Sequence, residues 1–137
     1  MLTVVLDTNI LVSALLTPQG ESAAVLESAR AHTLYLSQFI LSETQRILHS
    51  DRIRKKYRYP DTAIDRHITD LTDSAELVEL QAIASVCQDA DDDAVLACAV
   101  EAQAEYLVTR NTKHFPRSYA GVTVITPSEF LALVRSY

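Results

Sequence analysis

This chain of 137 residues has five side chains whose oxygen atoms could bind a metal ion. Each lies next to an apolar stretch or on the inward face of a predicted helix. They are Asp7, Glu43, Asp92, Asp93 and Asn111. No histidine or cysteine belongs to the set. Hard oxygen ligands bind Mg²⁺ or Mn²⁺ in preference to zinc. If the fold brings these groups together, we expect them to hold Mg²⁺ or Mn²⁺.

A site of this kind is suited to phosphodiester hydrolysis. Mg²⁺ held by carboxylates keeps several water molecules and takes further ligands from phosphate groups. The ion polarises the phosphate, activates a water molecule as the nucleophile and stabilises the leaving oxygen. The sequence contains no Ser/His or Cys/His arrangement that would supply a nucleophile of its own. We therefore predict hydrolysis by metal-activated water.

Each acid also has an ordinary structural explanation. Glu43 lies three residues after Ile40 and four before Ile47, on the inward face of a predicted helix. An arginine or lysine from another helix would neutralise it there. Acids in a first helical turn suit the helix dipole, but four acids in the five residues Asp89–Asp93 are more than a cap requires. Like charges at that density repel one another unless a cation lies between them.

Basic residues are concentrated away from the acids, although the net charge of the chain is −6. Seven of the twelve lysines and arginines lie between Arg46 and Arg66, and Tyr57 and Tyr59 follow the densest part. Separate acidic and basic regions can hold a metal at one place and attract an anion at the other. Solvated helix faces are the alternative. The candidates for binding a nucleic-acid strand are Arg52, Arg54, Lys55, Lys56, Arg110 and Lys113, with Tyr57 or Tyr59 stacking on a base.

Apolar periodicity predicts that strands alternate with helices along most of the chain. The run Leu2–Leu6 carries no charge, which is typical of a strand buried on both faces of a parallel sheet. Thr8 and Asn9 are favourable N-cap residues and predict that a helix begins there. The full prediction has strands at 2–6, 33–37, 77–80, 105–109 and 122–125, and helices at 8–16, 22–32, 37–48, 51–59, 61–74, 92–103 and 130–134, the last preceded by a capping box at 126–129.

This order of elements predicts an α/β three-layer sandwich, with a mostly parallel central sheet flanked by helices, in a single domain over residues 1–137. Ligands of open α/β sheets bind at the carboxyl edge of the strands. Asp7 and Asn111 each follow a predicted strand, so a parallel sheet would bring both side chains to that edge.

Composition limits the classes of protein that the chain can represent. An apolar content of 48% with a mean hydropathy of +0.06 is typical of a soluble protein, and no apolar run approaches the ~20 residues of a membrane span. No basic segment precedes the first apolar run as it would in a signal peptide, so we expect a cytoplasmic protein. Cys87 and Cys98 are too few for a disulfide framework or a zinc site.

Four segments resemble the PIN-domain ribonucleases, in particular the bacterial toxins of VapC type. In order along the chain they are Leu6–Leu15, Ser42–Glu43, Asp91–Ala99 and Tyr106–Phe115. The resemblance covers nearly the whole chain. It implies that Asp7, Glu43 and either Asp92 or Asp93 are the catalytic, metal-binding acids. We favour Asp93, which stands directly before Ala94.

The resemblance also assigns roles to neighbouring residues. Thr8, Asn9 and Thr109 would orient the acids. Asn111 stands where the family usually has a fourth acid, and its amide adds a ligand oxygen but no charge. Tight binding of a second metal ion is therefore in doubt. His114 would lie near the same edge, either close to a phosphate or as a loop residue beside Phe115.

The function that the resemblance implies is a Mg²⁺- or Mn²⁺-dependent RNA endonuclease, the toxin of a type II toxin–antitoxin pair. Such a protein would be a homodimer, held inactive by a small antitoxin that inserts near the acids. The alternative is a catalytically silent PIN-like module that binds RNA or a protein, which the loss of the fourth acid favours. A receiver domain or an Asp-x-Asp phosphatase fits poorly, because no isolated acceptor aspartate follows a middle strand and position 9 is asparagine.

Overall fold

The computed structural model describes all 137 residues and has a six-stranded sheet with helices on both faces. The strands lie in the order β3-β2-β1-β4-β6-β5, and every neighbouring pair is parallel except β5 with β6. The elements are β1 (Thr3–Leu6), α1 (Thr8–Leu16), α2 (Glu21–Arg30), β2 (Thr33–Ser37), α3 (Gln38–Leu48), α4 (Asp51–Tyr57), α5 (Asp61–Ser74), β3 (Glu76–Val78), α6 (Ala90–Ala102), β4 (Tyr106–Val108), a short 3₁₀ helix (Thr112–His114), β5 (Ser118–Tyr119), β6 (Val122–Ile125) and α7 (Pro127–Arg135).

The central strand β1 explains why its residues are apolar without alternation. Val4, Val5 and Leu6 are completely buried, since helices cover both faces of the sheet. α6 packs against β1, β2, β3 and β4, whereas α1 packs against α2 and α3, and α2 packs against α7. Right-handed crossover connections place α6 on the opposite face from α1. The predicted three-layer α/β sandwich is confirmed.

The carboxyl edges of β1 and β4 are locked together beyond the last paired residues. The Asp7 N–H donates to the carbonyl of Val108 at 2.9 Å, and the Thr109 N–H donates to the carbonyl of Ile125 at 3.0 Å. The residues that leave strands β1, β4 and β6 are therefore held in a fixed register. This edge holds Asp7 beside Thr109, two residues before Asn111.

Several local predictions need correction. Asp7, not Thr8 or Asn9, is the N-cap of α1, because its own carboxylate accepts the Thr8 N–H at 2.7 Å. α6 begins two residues earlier than predicted, since Asp89 provides the cap by accepting the Asp91 N–H at 2.8 Å. The strand β5 was not predicted, because two residues are too few to show periodicity.

Other boundaries follow from their predicted caps. Ser37 caps α3 by accepting the Ile40 N–H, and Thr126 and Glu129 form the capping box that starts α7. α7 begins at Pro127, where the missing backbone N–H of proline costs no hydrogen bond because N–H groups of the first turn have no partner within the helix. None of the helices has the length and the apolar content that crossing a membrane would need.

Candidate active site

An open cavity of about 380 Å³ lies at the carboxyl edge of the sheet, between β1, α3 and the start of α6. Four of the five predicted ligands line it. They are Asp7, Glu43, Asp92 and Asn111. Asp89 and Asp91 add two acids to its wall, and Arg46 and Arg52 add two cations. The structure thus brings these acids and two of the basic residues to one place.

Asp7 is the most buried acid of the cavity, with 6% of its surface exposed. One carboxylate oxygen accepts the Thr8 N–H at 2.7 Å, and the other accepts the Thr109 hydroxyl at 2.7 Å and the Asn9 amide at 3.4 Å. Burial raises the pKa of Asp7, while the hydrogen bonds from Thr109 and Thr8 and the nearby His114 oppose that rise. Thr8, Asn9 and Thr109 therefore fix the position of this carboxylate.

Asp92 lines the same cavity as Asp7. Its side chain is 20% exposed, and its carboxylate lies 3.6 Å from Nδ1 of His114. Partial burial raises the pKa of Asp92, and the negative charges of Asp7 and Asp89 raise it further. The charge of Asp7 thus opposes ionisation of Asp92 in a partly buried cavity, and a cation bound there would stabilise both carboxylates.

Asp93 points away from this cavity. One oxygen of its carboxylate accepts the backbone N–H groups of Val86 at 2.9 Å and Cys87 at 2.6 Å. These hydrogen bonds lower the pKa of Asp93. The side chain lines a separate cavity of about 230 Å³ together with apolar residues such as Leu96. Asp93 therefore anchors the segment that precedes α6, and the structure does not place it with Asp7.

Glu43 is paired with an arginine, as the structural explanation of this residue anticipated, but the partner comes from the same helix. Arg46, one turn along α3, donates Nε and Nη2 to the two carboxylate oxygens at 3.0 and 2.9 Å. This bidentate pair, and with it the charge of Arg46, lowers the pKa of Glu43. Glu43 lines the cavity with its carboxylate held by Arg46.

The sequence matches the family model of the PIN domain over residues 3–113. The chain belongs to the PIN-domain family. Members of this family are generally nucleases that use divalent metal ions. No curated protein matches the sequence.

A solved structure with the same fold is the crystal structure of VapBC2 from Rickettsia felis bound to a DNA fragment from their promoter. The match has a TM-score of 0.60 and 17% sequence identity, and it covers 90% of this PIN domain and 97% of the other chain. At that identity the likeness establishes the fold.

The oxygen donors of this PIN domain fit a hard divalent cation. No three aspartates, glutamates, histidines or cysteines converge closely enough to surround an ion by themselves, since Glu43 is held by Arg46 and Asp93 points away. Mg²⁺, however, is commonly held by only one or two carboxylates, with water and phosphate completing its shell. The buried amide oxygen of Asn9 has no hydrogen-bond partner and belongs to a residue of the same cavity. An unpartnered oxygen beside Asp7 and Asp92 is the donor that a cation, or its water, would use.

The basic residues predicted to bind nucleic acid do not all reach the cavity. Arg52 lines it, and Lys55 and Lys56 are exposed on α4. Arg54 instead pairs with Asp61 of α5. Arg110 donates to the hydroxyl of Ser13, another residue of the cavity wall, at 2.8 Å.

Three further residues predicted to contact nucleic acid do not line this cavity of the PIN domain. Lys113 lies in an adjoining cavity with His114. Tyr59, one of the two tyrosines predicted to stack on a base, donates its hydroxyl to the carbonyl of Leu15 at 2.9 Å. The other is Tyr57, and the ammonium of Lys56 lies 5.4 Å from the centre of its ring.

Arg46 lines the cavity and holds Glu43, and the sequence did not single it out as part of the candidate site. Its spacing of three residues from Glu43 was the available signal, because residues three apart are neighbours on a helix. The expected partner of Glu43 was an arginine or lysine of another helix. Asp89, which caps α6 and lines the cavity, was assigned only to the local excess of acids.

Proposed function

We propose that this PIN domain is a Mg²⁺- or Mn²⁺-dependent RNA endonuclease and the toxin of a toxin–antitoxin pair. The observation that carries the proposal is the pairing of Asp7 with Asp92, beside the unpartnered Asn9 oxygen, in one cavity at the carboxyl edge of the sheet. Of the two adjacent acids that the resemblance allows, the proposal uses Asp92 and not the favoured Asp93, because Asp92 lines the cavity with Asp7.

The chain positions its ligands before any ion is bound. Asp7 is held by Thr109 and Thr8, so it loses little conformational freedom when it coordinates a metal ion. Asp92 lies at the start of α6 and is directed by the helix. Asn111 is exposed at the rim, where its amide can contact the ion or a water molecule. When bound, a divalent cation supplies the Lewis acid that polarises a phosphate and activates water.

RNA as the substrate is supported by the cations around the acids. Arg46 and Arg52 line the cavity, and Arg110 is held over it by Ser13. Guanidinium groups bind phosphate through two parallel hydrogen bonds and would orient the backbone of a strand across Asp7 and Asp92. Lys55 and Lys56 extend the positive surface along α4. Because the net charge of the chain is −6, the protein as a whole repels an anion, and this local concentration of cations is what would attract one.

The toxin role rests on the fold shared with a protein of a VapBC2 assembly and on the sequence resemblance to VapC. It entails a small antitoxin as a partner, a homodimer and a cytoplasmic location. The alternative is a PIN module that binds RNA without cleaving it. Two observations favour that alternative: Asn111 supplies no charge, and Glu43 is engaged by Arg46.

The decisive experiment incubates the purified protein with labelled single-stranded RNA in Mg²⁺, Mn²⁺ or EDTA. Asp7→Asn and Asp92→Asn serve as inactive variants, and mass spectrometry excludes a co-purified antitoxin. We expect cleavage by the wild type only with a divalent metal, and none by either variant. RNA binding without cleavage in every metal would support the silent module. Cleavage that persists in EDTA or in Asp7→Asn would contradict the proposal.

A further inference from the structure

A second cavity of about 820 Å³ adjoins the first on the side of α6 that faces the 3₁₀ helix. The two share Asp89 and Asp92, so they form one continuous depression around the proposed metal ligand. Its volume falls within the roughly 300–1,000 Å³ typical of pockets that hold organic ligands. We propose that this cavity, here called the Cys87 cavity and lined by 86–90, 92 and 113–116, is a nucleotide subsite next to the scissile phosphate. The inference rests on the proposed function.

The lining has the groups that a nucleotide requires. Lys113 and His114 stand at the rim as partners for phosphate, and both are exposed. Phe115, Pro116 and Val86 give an apolar surface against which a base can pack. Recognition of single strands combines such an apolar or aromatic surface with cations that follow the backbone.

The distribution of charge defines a path for the strand across the two cavities. Arg46 and Arg52 line only the first cavity, whereas Lys113 and His114 line only the second. Asp89 and Asp92 line both cavities, and His114 lies 3.6 Å from Asp92. Phosphates are therefore attracted at both ends, and the phosphate in the middle needs a cation to approach. A strand that crosses both cavities places an internal linkage at Asp92, which is the geometry of an endonuclease.

The wall of the Cys87 cavity is fixed by Asp93, which gives this acid a function distinct from metal binding. Its carboxylate holds the N–H groups of Val86 and Cys87, two residues of the wall. On the other side, buried Phe115 anchors the segment that carries Lys113 and His114. Asp93 is thus a positioning residue for the subsite.

Cys87 reports directly on occupation of this cavity. The chain has only two cysteines: Cys87 is partly exposed in the wall, and Cys98 is fully buried. Burial raises the pKa of the Cys87 thiol to about 11, and the hydrogen bond and negative charge of Asp93 contribute to this rise. Alkylation is therefore followed at mildly alkaline pH. The rate of modification by N-ethylmaleimide, measured by mass spectrometry, is compared with and without a saturating single-stranded RNA in Ca²⁺. Intact RNA is verified afterwards on a gel.

We expect bound RNA to slow modification of Cys87 at least about five-fold, and Cys98 to remain unmodified in every sample. Modified protein should still bind Mn²⁺ but should lose RNA affinity. An unchanged rate at Cys87, while fluorescence anisotropy shows that the RNA is bound, would overturn the subsite and leave the proposed function standing. Failure of the protein to bind RNA at all would overturn both.

A matched pair of charge variants tests the same subsite without chemical modification. Lys113→Gln removes a cation from the cavity rim, and Arg117→Gln removes one from the same segment outside it, where Arg117 lies 3.7 Å from Glu129. We expect Lys113→Gln to weaken RNA binding about three- to ten-fold and to reduce the salt slope by about one. Arg117→Gln should change affinity less than two-fold. Equal effects of the two variants would refute a specific contact at Lys113.

Discussion

Alanine substitution of Asp92 or Asp93 separates metal binding from structure, although the two acids are adjacent in the chain. Asp92→Ala removes a carboxylate that lines the same cavity as Asp7. Asp93→Ala removes the acceptor of the Val86 and Cys87 N–H groups. Both positions lie in the first two turns of α6, where alanine is a good helix former, so the helix itself is preserved. We expect Asp92→Ala to lose metal binding but keep its stability, and Asp93→Ala to lose stability but keep metal binding.

The size of each effect follows from the contacts. Two charge-assisted hydrogen bonds at 2.9 and 2.6 Å are lost in Asp93→Ala, which should lower the melting temperature by about 5–10 °C. Asp92→Ala should leave it unchanged or a few degrees higher in EDTA, because burial and the charge of Asp7 oppose ionisation of Asp92. Mn²⁺ at about 100 times its Kd should stabilise the wild type by ~2.7 kcal/mol. For a chain of this length that corresponds to about 6–12 °C.

The assay is thermal unfolding of the wild type and both variants, each in EDTA and in Mn²⁺. We expect Asp92→Ala to lose the increase that Mn²⁺ gives and Asp93→Ala to keep it from a lower starting temperature. Circular dichroism of the folded variants controls for gross misfolding. The reverse pattern, with the Mn²⁺ effect lost in Asp93→Ala and retained in Asp92→Ala, would refute the assignment of the two carboxylates.

Three further predictions concern residues around the cavity. Arg46→Gln should tighten Mn²⁺ binding about two- to five-fold relative to Arg52→Gln, because only Arg46 forms hydrogen bonds with the carboxylate of Glu43. Equal Mn²⁺ affinities of the two variants in a titration would exclude competition between Arg46 and the ion. Thr109→Val should lower the free energy of unfolding in urea by about 1–3 kcal/mol, since Asp7 loses a buried donor, and Thr109→Ser should restore most of it. The pKa of Asp7 is raised in the folded state, so the contribution of Asp7 to folding stability is present below the unfolded pKa and is lost as pH rises through the folded pKa. In EDTA, Asp7→Asn should therefore gain stability relative to the wild type as pH increases from about 4 to 7. A constant difference in stability over that range would contradict the raised pKa.

The order of the elements, and the convergence of Asp7, Glu43, Asp92 and Asn111 at one cavity, were predictable from the sequence. The uncharged run before Asp7 and the apolar run before Thr109 identified two central strands, and parallel pairing brought their ends to one edge. The starts of α3 and α7 were also predictable, because a helix cap depends only on residues a few positions apart in the sequence. The start of α1 shows the limit of such local prediction. Asp7 is both the cap and a candidate ligand, whereas cap preferences alone favour Thr8 and Asn9.

The choice between Asp92 and Asp93 was not available to sequence reasoning. Adjacent residues of a helix point about 100° apart, so which one enters the cavity depends on the rotation of α6. That rotation is fixed by the backbone of Val86 and Cys87, which lies in a segment without periodicity. The ion pair of Glu43 differs from its prediction because the partner, Arg46, lies one turn along the same helix and not on another helix.

The most direct test of the account is the position of a bound Mn²⁺ in a crystal of the protein, located by anomalous scattering. The account predicts a peak within coordinating distance of the carboxylates of Asp7 and Asp92, with Asn9 or Asn111 beside it and the carboxylate of Asp93 still on Val86 and Cys87. A peak coordinated by Asp93, or no ion at Asp7 in a crystal grown at millimolar Mn²⁺, would contradict it.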